Sequence, residues 1–262
     1  MSLFLKNHAL VLLEYFDRVS IIHLPEREDR FKSISGELRA LGIDVTDAKV
    51  RIPPAERPAD ANGFPSRGVY GNFLSHTDIL RTALDDGLNT VWVLEDDAIF
   101  SRCLVRSQAK IVAYLERTEW DICYFGHSVD LAAERQGFIR LPADTGFVWA
   151  HCYAVHGRVL SRLVEYLERA IVLPSGHPAG GKLYIDAAFT LFRRFNPDVI
   201  ALAANPALSV QKGCRSSLAE GRWYDRVAVV TPLISLARAG RDYWWRVRSG
   251  DSTAFLVDAD SG

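Results

Sequence analysis

A run of apolar residues that ends in three consecutive carboxylates constrains this chain more than any other feature. Positions 91–94 hold only valine, tryptophan and leucine, a pattern typical of a strand buried on both faces of a sheet. Glu95, Asp96 and Asp97 follow directly, and three acids cannot lie inside an apolar core unless something pairs with them. The pattern therefore predicts a central strand whose carboxyl end lies at the rim of a cleft, where open α/β sheets bind their ligands.

These three carboxylates are candidates for a cation site. Glu95 and Asp97 are two residues apart, so both can converge on one ion in the turn after the strand, while Asp96 orients a sugar or ribose. Mn²⁺ and Mg²⁺ both prefer carboxylate oxygens, and a divalent cation that holds a diphosphate would explain why so much negative charge is placed together. The alternative is a polar strand end at which Asp96 or Asp97 caps the next turn.

Strand and helix patterns alternate along the chain, which predicts an α/β fold. Strands are predicted at 19–24, 45–52, 90–94, 120–126, 145–155 and 199–203, and helices at 3–16, 31–41, 71–86, 104–115, 158–170 and 184–195. Segments 53–68 and 174–181 are rich in proline and glycine and are predicted to be loops, as are 126–145 and 205–217. The length of 262 residues favours one domain over residues 1–220 and a C-terminal extension over 221–262, helical and then frayed.

Composition narrows the classes of function. The net charge is −1, which argues against a general nucleic-acid binder because such proteins are markedly basic. The four cysteines form no CxxC pair, which argues against a zinc site and against a disulfide framework. The first 16 residues lack the layout of a signal peptide, so we expect a cytoplasmic protein with reduced thiols.

Aromatic and basic residues are interleaved in segment 232–248. We favour an amphipathic helix that packs on the domain. The alternative is a helix that lies on the inner face of a membrane, where aromatic rings meet the headgroups and arginines meet anionic lipid. That alternative would suit an acceptor linked to a lipid.

The loop after the first predicted strand carries an unusual amount of charge. Glu28 and Asp29 suit the first turn of a helix, because the helix dipole stabilises carboxylates there. Arg27 and Arg30 gain nothing at that position, so they are candidates to contact a nucleotide phosphate or base. The alternative is a solvated helical turn.

Three motifs together resemble those of glycosyltransferase family 25, which includes bacterial lipooligosaccharide galactosyltransferases and the collagen galactosyltransferases. HLPEREDR at 23–30 resembles the family's N-L-x-x-R-x-D-R, GNFLSH at 71–76 its G-C-x-x-S-H, and VLEDDA at 93–98 its L-E-D-D. The order and separations of the motifs also fit, over about residues 19–217. Two departures are His23 in place of the usual Asn and Asn72 in place of the usual Cys; both leave the carboxylates intact, and His23 is expected to alter the nucleotide contacts.

The resemblance implies a GT-A fold, with one nucleotide-binding sheet flanked by helices. It also implies transfer of a sugar, most often galactose, from a UDP-sugar to a saccharide, glycan or lipid-linked glycan, with inversion at the anomeric carbon. Lipopolysaccharide or surface-glycan biosynthesis is the expected setting. Donor contacts are expected from His23, Arg27, Arg30, Ser75, His76, Asp96, Gln211 and Lys212, and coordination of Mn²⁺ or Mg²⁺ from Glu95 and Asp97.

An inverting transfer needs a general base on the side of the sugar opposite the diphosphate. Asp186, which follows the 174–181 loop, is the first candidate, and Asp121 and Asp130 are weaker ones. The alternative for Asp186 is an ordinary carboxylate at a helix start.

Two other classes of function stay open. A nucleotide-sugar hydrolase or a nucleotidyltransferase would use the same donor, but nucleotidyltransferases usually have a glycine-rich first loop, and residues 25–30 contain no glycine. A non-catalytic scaffold of the same fold that binds a nucleotide sugar is the main alternative.

Overall fold

The computed structural model describes residues 11–129, 131, 136–146 and 149–212 of the chain. The helices are α1 (Val11–Tyr15), α2 (Glu28–Ala40), α3 (Arg67–Asp85), α4 (Arg102–Arg117), α5 (Gly157–Val172) and α6 (Ile185–Phe195). The strands are β1 (Arg18–Ile22), β2 (Val50–Arg51), β3 (Thr90–Glu95), β4 (Ala98–Phe100), β5 (Ile122–Tyr124), β6 (Gly137–Arg140), β7 (Cys152–His156), β8 (Ala201–Asn205) and β9 (Ser209–Gln211). The predicted C-terminal extension, its segment 232–248 and Asp130 lie outside the described residues.

Seven strands form one mixed sheet in the order β2-β1-β3-β7-β5-β8-β6. β1 pairs in parallel with β2 and with β3, and β5 pairs in parallel with β8. β7 runs antiparallel between β3 and β5, and β6 runs antiparallel along β8. A main sheet flanked by helices confirms the predicted α/β class and is consistent with the GT-A arrangement expected from the motifs. β4 and β9 form a small antiparallel pair beside it.

β3 lies inside the sheet and has apolar neighbours on both faces. Trp92 and Leu94 belong to a core cluster with residues of α1, α2 and α4, whereas Val91 and Val93 belong to a second cluster with residues of α3, α5 and α6. The prediction of a strand buried on both faces is confirmed. The four apolar side chains of positions 91–94 are all buried, and the polar residues of β3 stand at its two ends, Thr90 and Glu95.

Some predicted boundaries are wrong. α3 begins at Arg67, before the predicted start at residue 71, because Ser66 caps the helix by accepting a hydrogen bond from the Val69 amide at 3.2 Å. The strand predicted over 45–52 is formed only at Val50–Arg51. Of the strand predicted over 145–155, the described residues, which leave out 147 and 148, form a strand at Cys152–His156.

Three short strands were not predicted. β4, β6 and β9 have three or four residues each, too few to show an alternating pattern. β6 lies in the segment predicted to be a loop to residue 145, and β9 lies in the segment 205–217 predicted to be irregular. Their existence depends on pairing with partners far away in sequence.

The structure also describes three of the four cysteines and the lengths of the helices. Cys103, Cys123 and Cys152 are buried and form no disulfide. Within the described parts of the chain, no helix combines the length and apolar character needed to cross a membrane.

The β2–α3 loop, residues 52–66, is held closely against α3 at Gly71. A Cβ atom at residue 71 would lie 2.5 Å from the carbonyl oxygen of Glu56 and 3.1 Å from the ring of Pro58. Glycine is therefore required at this position for the loop to lie against the helix.

Gly71→Ala should lower the free energy of unfolding by about 1–3 kcal/mol, because the helix and the loop must move apart. Gly36→Ala in α2 is the matched control: its new Cβ meets nothing within 4 Å, so it should raise stability by about 0.5–1 kcal/mol. Urea denaturation of both variants checks this. Equal effects of the same sign would contradict the close approach.

Candidate functional site

A cavity of about 440 Å³ opens where β3 leaves the sheet. Its walls are the β1–α2 loop, the β2–α3 loop, the first turns of α3 and the strand end with its three acids. The sequence-predicted site residues that line it are Arg30, Ser75, Glu95, Asp96, Asp97 and Gln211. We call this space the acid-triplet cavity.

The carboxylate of Glu95 is held by donors from two other elements. Its Oε1 accepts from Asn72 Nδ2 at 2.9 Å and lies 3.2 Å from His76 Nε2, and its Oε2 accepts from Gln211 Nε2 at 3.0 Å. Asn72 and His76 are one turn apart on α3, so both face the same carboxylate. Burial raises the pKa of Glu95, but the hydrogen bonds from His76 and Asn72 outweigh it and bring the pKa to about 2.

His76 lies behind Glu95 and outside the lining of the cavity. Its side chain is fully buried, and its Nδ1 is 2.8 Å from the hydroxyl of Tyr153. Nε2 is the donor in the contact with Glu95, because a carboxylate oxygen can only accept. In a neutral ring, Nδ1 then accepts a hydrogen bond from the Tyr153 hydroxyl, so this tautomer is assigned from the two partners. The geometry suits a residue that positions Glu95. Contact of His76 with the donor stays a prediction.

Both carboxylate oxygens of Asp96 contact a basic side chain. Its Oδ2 is 2.8 Å from His23 Nδ1, and its Oδ1 accepts from Arg30 Nη1 at 2.9 Å. All three residues are buried. This contact joins the end of β3 to the end of β1 and the first turn of α2.

Asp97 is the least satisfied of the three acids. Its Oδ2 is 3.2 Å from Arg30 Nη1, whereas its buried Oδ1 has no hydrogen-bond partner within the described part of the chain. Burial raises the pKa of Asp97 to about 7, the charges of Glu95 and Asp96 act in the same direction, and Arg30 opposes them. A buried oxygen of this kind is the place in the triplet where an arriving cation or proton is most favourable.

Three further predicted residues make protein contacts of their own. Ser75 Oγ accepts from the Glu56 amide and donates to the Gly71 carbonyl, both at 2.8 Å, and so ties the β2–α3 loop to α3. Lys212 donates from its amide to the Asp97 carbonyl at 2.7 Å and from Nζ to Ser33 Oγ at 3.2 Å. Arg27 donates from Nε and Nη2 to the Asp29 carboxylate, at 3.0 Å each. None of these contacts tests binding of the donor.

Asp186 lies in the first turn of α6, outside the lining of the cavity, and is partly buried. Burial raises its pKa to about 6, and the charge of Glu95 adds to that effect, which places Asp186 within electrostatic reach of the acid triplet. The weaker candidate Asp121 is committed elsewhere: its carboxylate accepts from Arg158 Nε at 2.6 Å and from the Ile200 amide at 2.7 Å. Asp186 is therefore the better candidate for a base.

Asn72 is a site residue that was not predicted. In the sequence it stands out only as a departure from the family motif, although its spacing of four residues from His76 on one helix places both side chains on the same face. Arg57 and Arg67 also line the cavity and were missed. Both lie in segment 53–68, which was predicted to be a loop because it is rich in proline and glycine.

The site offers few ligands for a metal ion. Among the described residues no group of three His, Cys, Asp or Glu side chains is arranged to hold one. Mg²⁺ in particular is usually held by one or two carboxylates together with substrate phosphates and water. The free oxygen of Asp97 fits such a site, because a single protein ligand suffices when a diphosphate provides the others.

No family model matches the chain. It is similar to procollagen galactosyltransferase 2 of Homo sapiens, with 24% identity over 230 residues, or 74% of this chain and 34% of the relative. The same protein of Mus musculus is 23% identical over 223 residues, or 74% and 35%. Procollagen galactosyltransferase 1-B of Xenopus laevis is 29% identical over 129 residues, or 42% and 21%. The chain thus spans about a fifth to a third of the length of these curated relatives.

A comparison of folds finds a glycosyltransferase involved in the glycosylation of the major capsid of PBCV-1. The TM-score is 0.48 at 11% sequence identity, and the match covers 88% of this chain and 99% of that one.

Asp97→Asn should raise the free energy of unfolding at pH 8 in the absence of divalent cations, by on the order of 1 kcal/mol or more. The folded pKa of about 7 lies above the value near 4 expected for the unfolded chain, so wild-type stability falls as pH rises between these values. The variant should lack that slope, and its advantage should disappear towards pH 4. Urea denaturation across pH 4–8 measures it.

Asp96→Asn is the control at the neighbouring position. It removes a charge that His23 and Arg30 both contact, so it should lower stability, by about 3–5 kcal/mol if the ion pair with Arg30 is lost outright. An Asp97→Asn variant less stable than wild type at pH 8 would show that the charge of Asp97 is well compensated.

Proposed function

We propose that the protein is a glycosyltransferase of family 25 that moves a sugar, galactose before others, from a UDP-sugar to a glycan acceptor with inversion. One observation carries the proposal: the acid-triplet cavity at the end of a central strand holds a buried carboxylate oxygen of Asp97 without a partner in the described residues. The similarity to the procollagen galactosyltransferases and the three family motifs support the choice of reaction and of galactose.

The size and charge of the cavity suit part of a nucleotide sugar. Its volume of about 440 Å³ lies within the range of small-molecule sites, about 300–1,000 Å³. Arg30, Arg57 and Arg67 lie in its wall, and guanidinium groups bind phosphate oxygens in a bidentate geometry. Arg57 is ion-paired with Glu26, another wall residue, which keeps its guanidinium at the cavity.

For Mn²⁺ or Mg²⁺, we propose Asp97 Oδ1 as the protein ligand. When bound, the cation would offset the negative charge that the diphosphate gains as the glycosidic bond breaks. Glu95, which the sequence analysis also expected to coordinate the metal, is assigned here to positioning, because both of its oxygens already accept hydrogen bonds. Asp96 similarly has both oxygens engaged and orders the loop that follows β1.

Asp186 is proposed as the general base. A pKa of about 6 leaves its carboxylate ionised at neutral pH and still basic enough to accept a proton in the transition state. In the transfer, the acceptor oxygen bonds to the anomeric carbon and its hydroxyl proton moves to Asp186. The bond from that carbon to the diphosphate oxygen breaks, and the electron pair leaves with the diphosphate.

The acceptor is proposed to be a surface glycan such as lipopolysaccharide or its lipid-linked precursor, reached from the cytoplasm. This rests on the resemblance to the bacterial members of the family. The non-catalytic scaffold remains the alternative, and turnover separates the two.

The decisive experiment is a screen of nucleotide sugars with Mn²⁺ or Mg²⁺, read as release of the nucleoside diphosphate. We expect slow hydrolysis of UDP-galactose that EDTA abolishes and that added glycan acceptors accelerate. A thermal shift with UDP but no turnover of any donor would favour the scaffold. No shift with any nucleotide would remove both functions.

Asp186→Asn should leave the Kd for the UDP-sugar unchanged and lower the rate of transfer by about 10²–10⁴-fold, because only proton removal is lost. In wild type, kcat should fall as pH drops below about 6, where Asp186 becomes protonated. Calorimetry and a transfer assay measure the two quantities. The control is Asp198→Asn, an exposed carboxylate paired with Arg162. Loss of donor affinity in Asp186→Asn would exclude Asp186 as the base.

A further inference from the structure

The guanidinium of Arg30 lies between two of the three acids. Its Nη1 is 2.9 Å from Asp96 Oδ1 and 3.2 Å from Asp97 Oδ2. Arg30 comes from the first turn of α2, is only 6% exposed and lines the same cavity as both acids. A fixed positive charge is therefore part of the acid cluster before any ligand enters.

This charge weakens the binding of a cation at Asp97 in two ways. Arg30 offsets the negative charges that make the site attractive, and it occupies one of the two oxygens of Asp97. The other oxygen, Oδ1, is the uncommitted carboxylate oxygen of the triplet within the described chain. The affinity of an oxygen site for a divalent cation depends on the number and charge of its ligands, and both are low here.

A diphosphate changes this balance. Its oxygens provide the ligands that the protein does not provide, and its negative charge can be met by Arg30 as well as by the cation. Binding of the diphosphate and binding of the cation are then coupled. Each ligand must raise the affinity of the protein for the other ligand by the same factor.

We propose that Arg30 is a built-in counter-charge that keeps the affinity of the nucleotide-free cleft for divalent cations low, so that tight cation binding requires a nucleoside diphosphate. The inference deepens the proposed function and rests on it for the identity of the diphosphate. Arg30 acts through Asp96 and Asp97, and is a positioning residue in this role.

The chain offers a matched control on the same helix. Arg39 lies in the last turn of α2, is exposed and is outside the cavity lining. Arg30→Met keeps the length and much of the apolar volume of the side chain and removes its charge. Arg39→Met makes the same chemical change at a position away from the cavity.

Binding of Mn²⁺ to the full-length protein, measured by the electron paramagnetic resonance of free Mn²⁺ with and without UDP, tests the proposal. No sugar and no turnover are involved. Wild type should bind Mn²⁺ at least about tenfold more tightly with saturating UDP than without it. Arg30→Met should bind Mn²⁺ alone at least about tenfold more tightly than wild type does, and should show a smaller effect of UDP. Arg39→Met should behave as wild type.

Arg30→Met also removes the partner of two buried carboxylates, so it is tested in a second way that tolerates a loss of stability. Mn²⁺ should raise the Tm of Arg30→Met by more than that of wild type, because the cation replaces the lost charge. Arg30→Gln, which keeps an amide donor but no charge, should show the same gain in Mn²⁺ affinity if Arg30→Met does not fold.

Three results would overturn the inference. The first is that an uncharged variant at position 30 binds Mn²⁺ no more tightly than wild type does. The second is that UDP does not change the Mn²⁺ affinity of wild type. The third is that wild type binds no Mn²⁺ when UDP is present. A failed search for transferase activity would leave the binding results intact. If the protein transfers sugar but variants at position 30 bind Mn²⁺ as wild type does, the proposed function stands and this role of Arg30 is excluded.

Discussion

The structure depends on how three adjacent carboxylates are accommodated at the end of a buried strand. Burying even one carboxylate costs several kcal/mol in free energy unless donors or cations surround it. Here the donors come from outside β3: His23 and Arg30 follow β1, Asn72 and His76 lie on α3, and Gln211 lies on β9. Both oxygens of Glu95 and of Asp96 have hydrogen-bond partners only when all of these elements are in place, so the polar network specifies one arrangement of the cleft.

The network is incomplete at one point, and we propose that a cation binds there. Glu95 and Asp96 have both oxygens engaged, whereas Asp97 keeps one without a described partner. The raised pKa of Asp97 and the raised pKa of Asp186 have the same first cause, burial, and Glu95 contributes to both. Buried carboxylates with raised pKa values lower the free energy of unfolding compared with neutral residues at the same positions. Such a loss of stability is common at functional sites.

The sequence was informative wherever the determining interactions are local. An apolar run followed by acids is enough to predict β3 and the position of the cleft, and helical periodicity is enough to predict α2, α4, α5 and α6. The separate hydrogen-bond partners of Glu95, Asp96 and Asp97 could not be predicted, because they depend on which distant donors reach each carboxylate. Nothing near Glu95 in sequence indicates that Asn72, His76 and Gln211 all contact it. The short strands β4 and β9 were missed because each is stabilised mainly by the other.

The hydrogen bond between Glu95 and Gln211 has a consequence for how the protein is made. The two residues are 116 positions apart, and β9 pairs with the strand that directly follows the acids. During synthesis the triplet leaves the ribosome long before its last donor exists. Most of the sheet can form in that interval, but the cleft cannot be completed, and contacts of such long sequence separation form slowly. Until residue 211 has been made, Oε2 of Glu95 therefore lacks the donor that it has in the folded structure, and the acid-triplet cavity lacks the part of its wall that Gln211 provides.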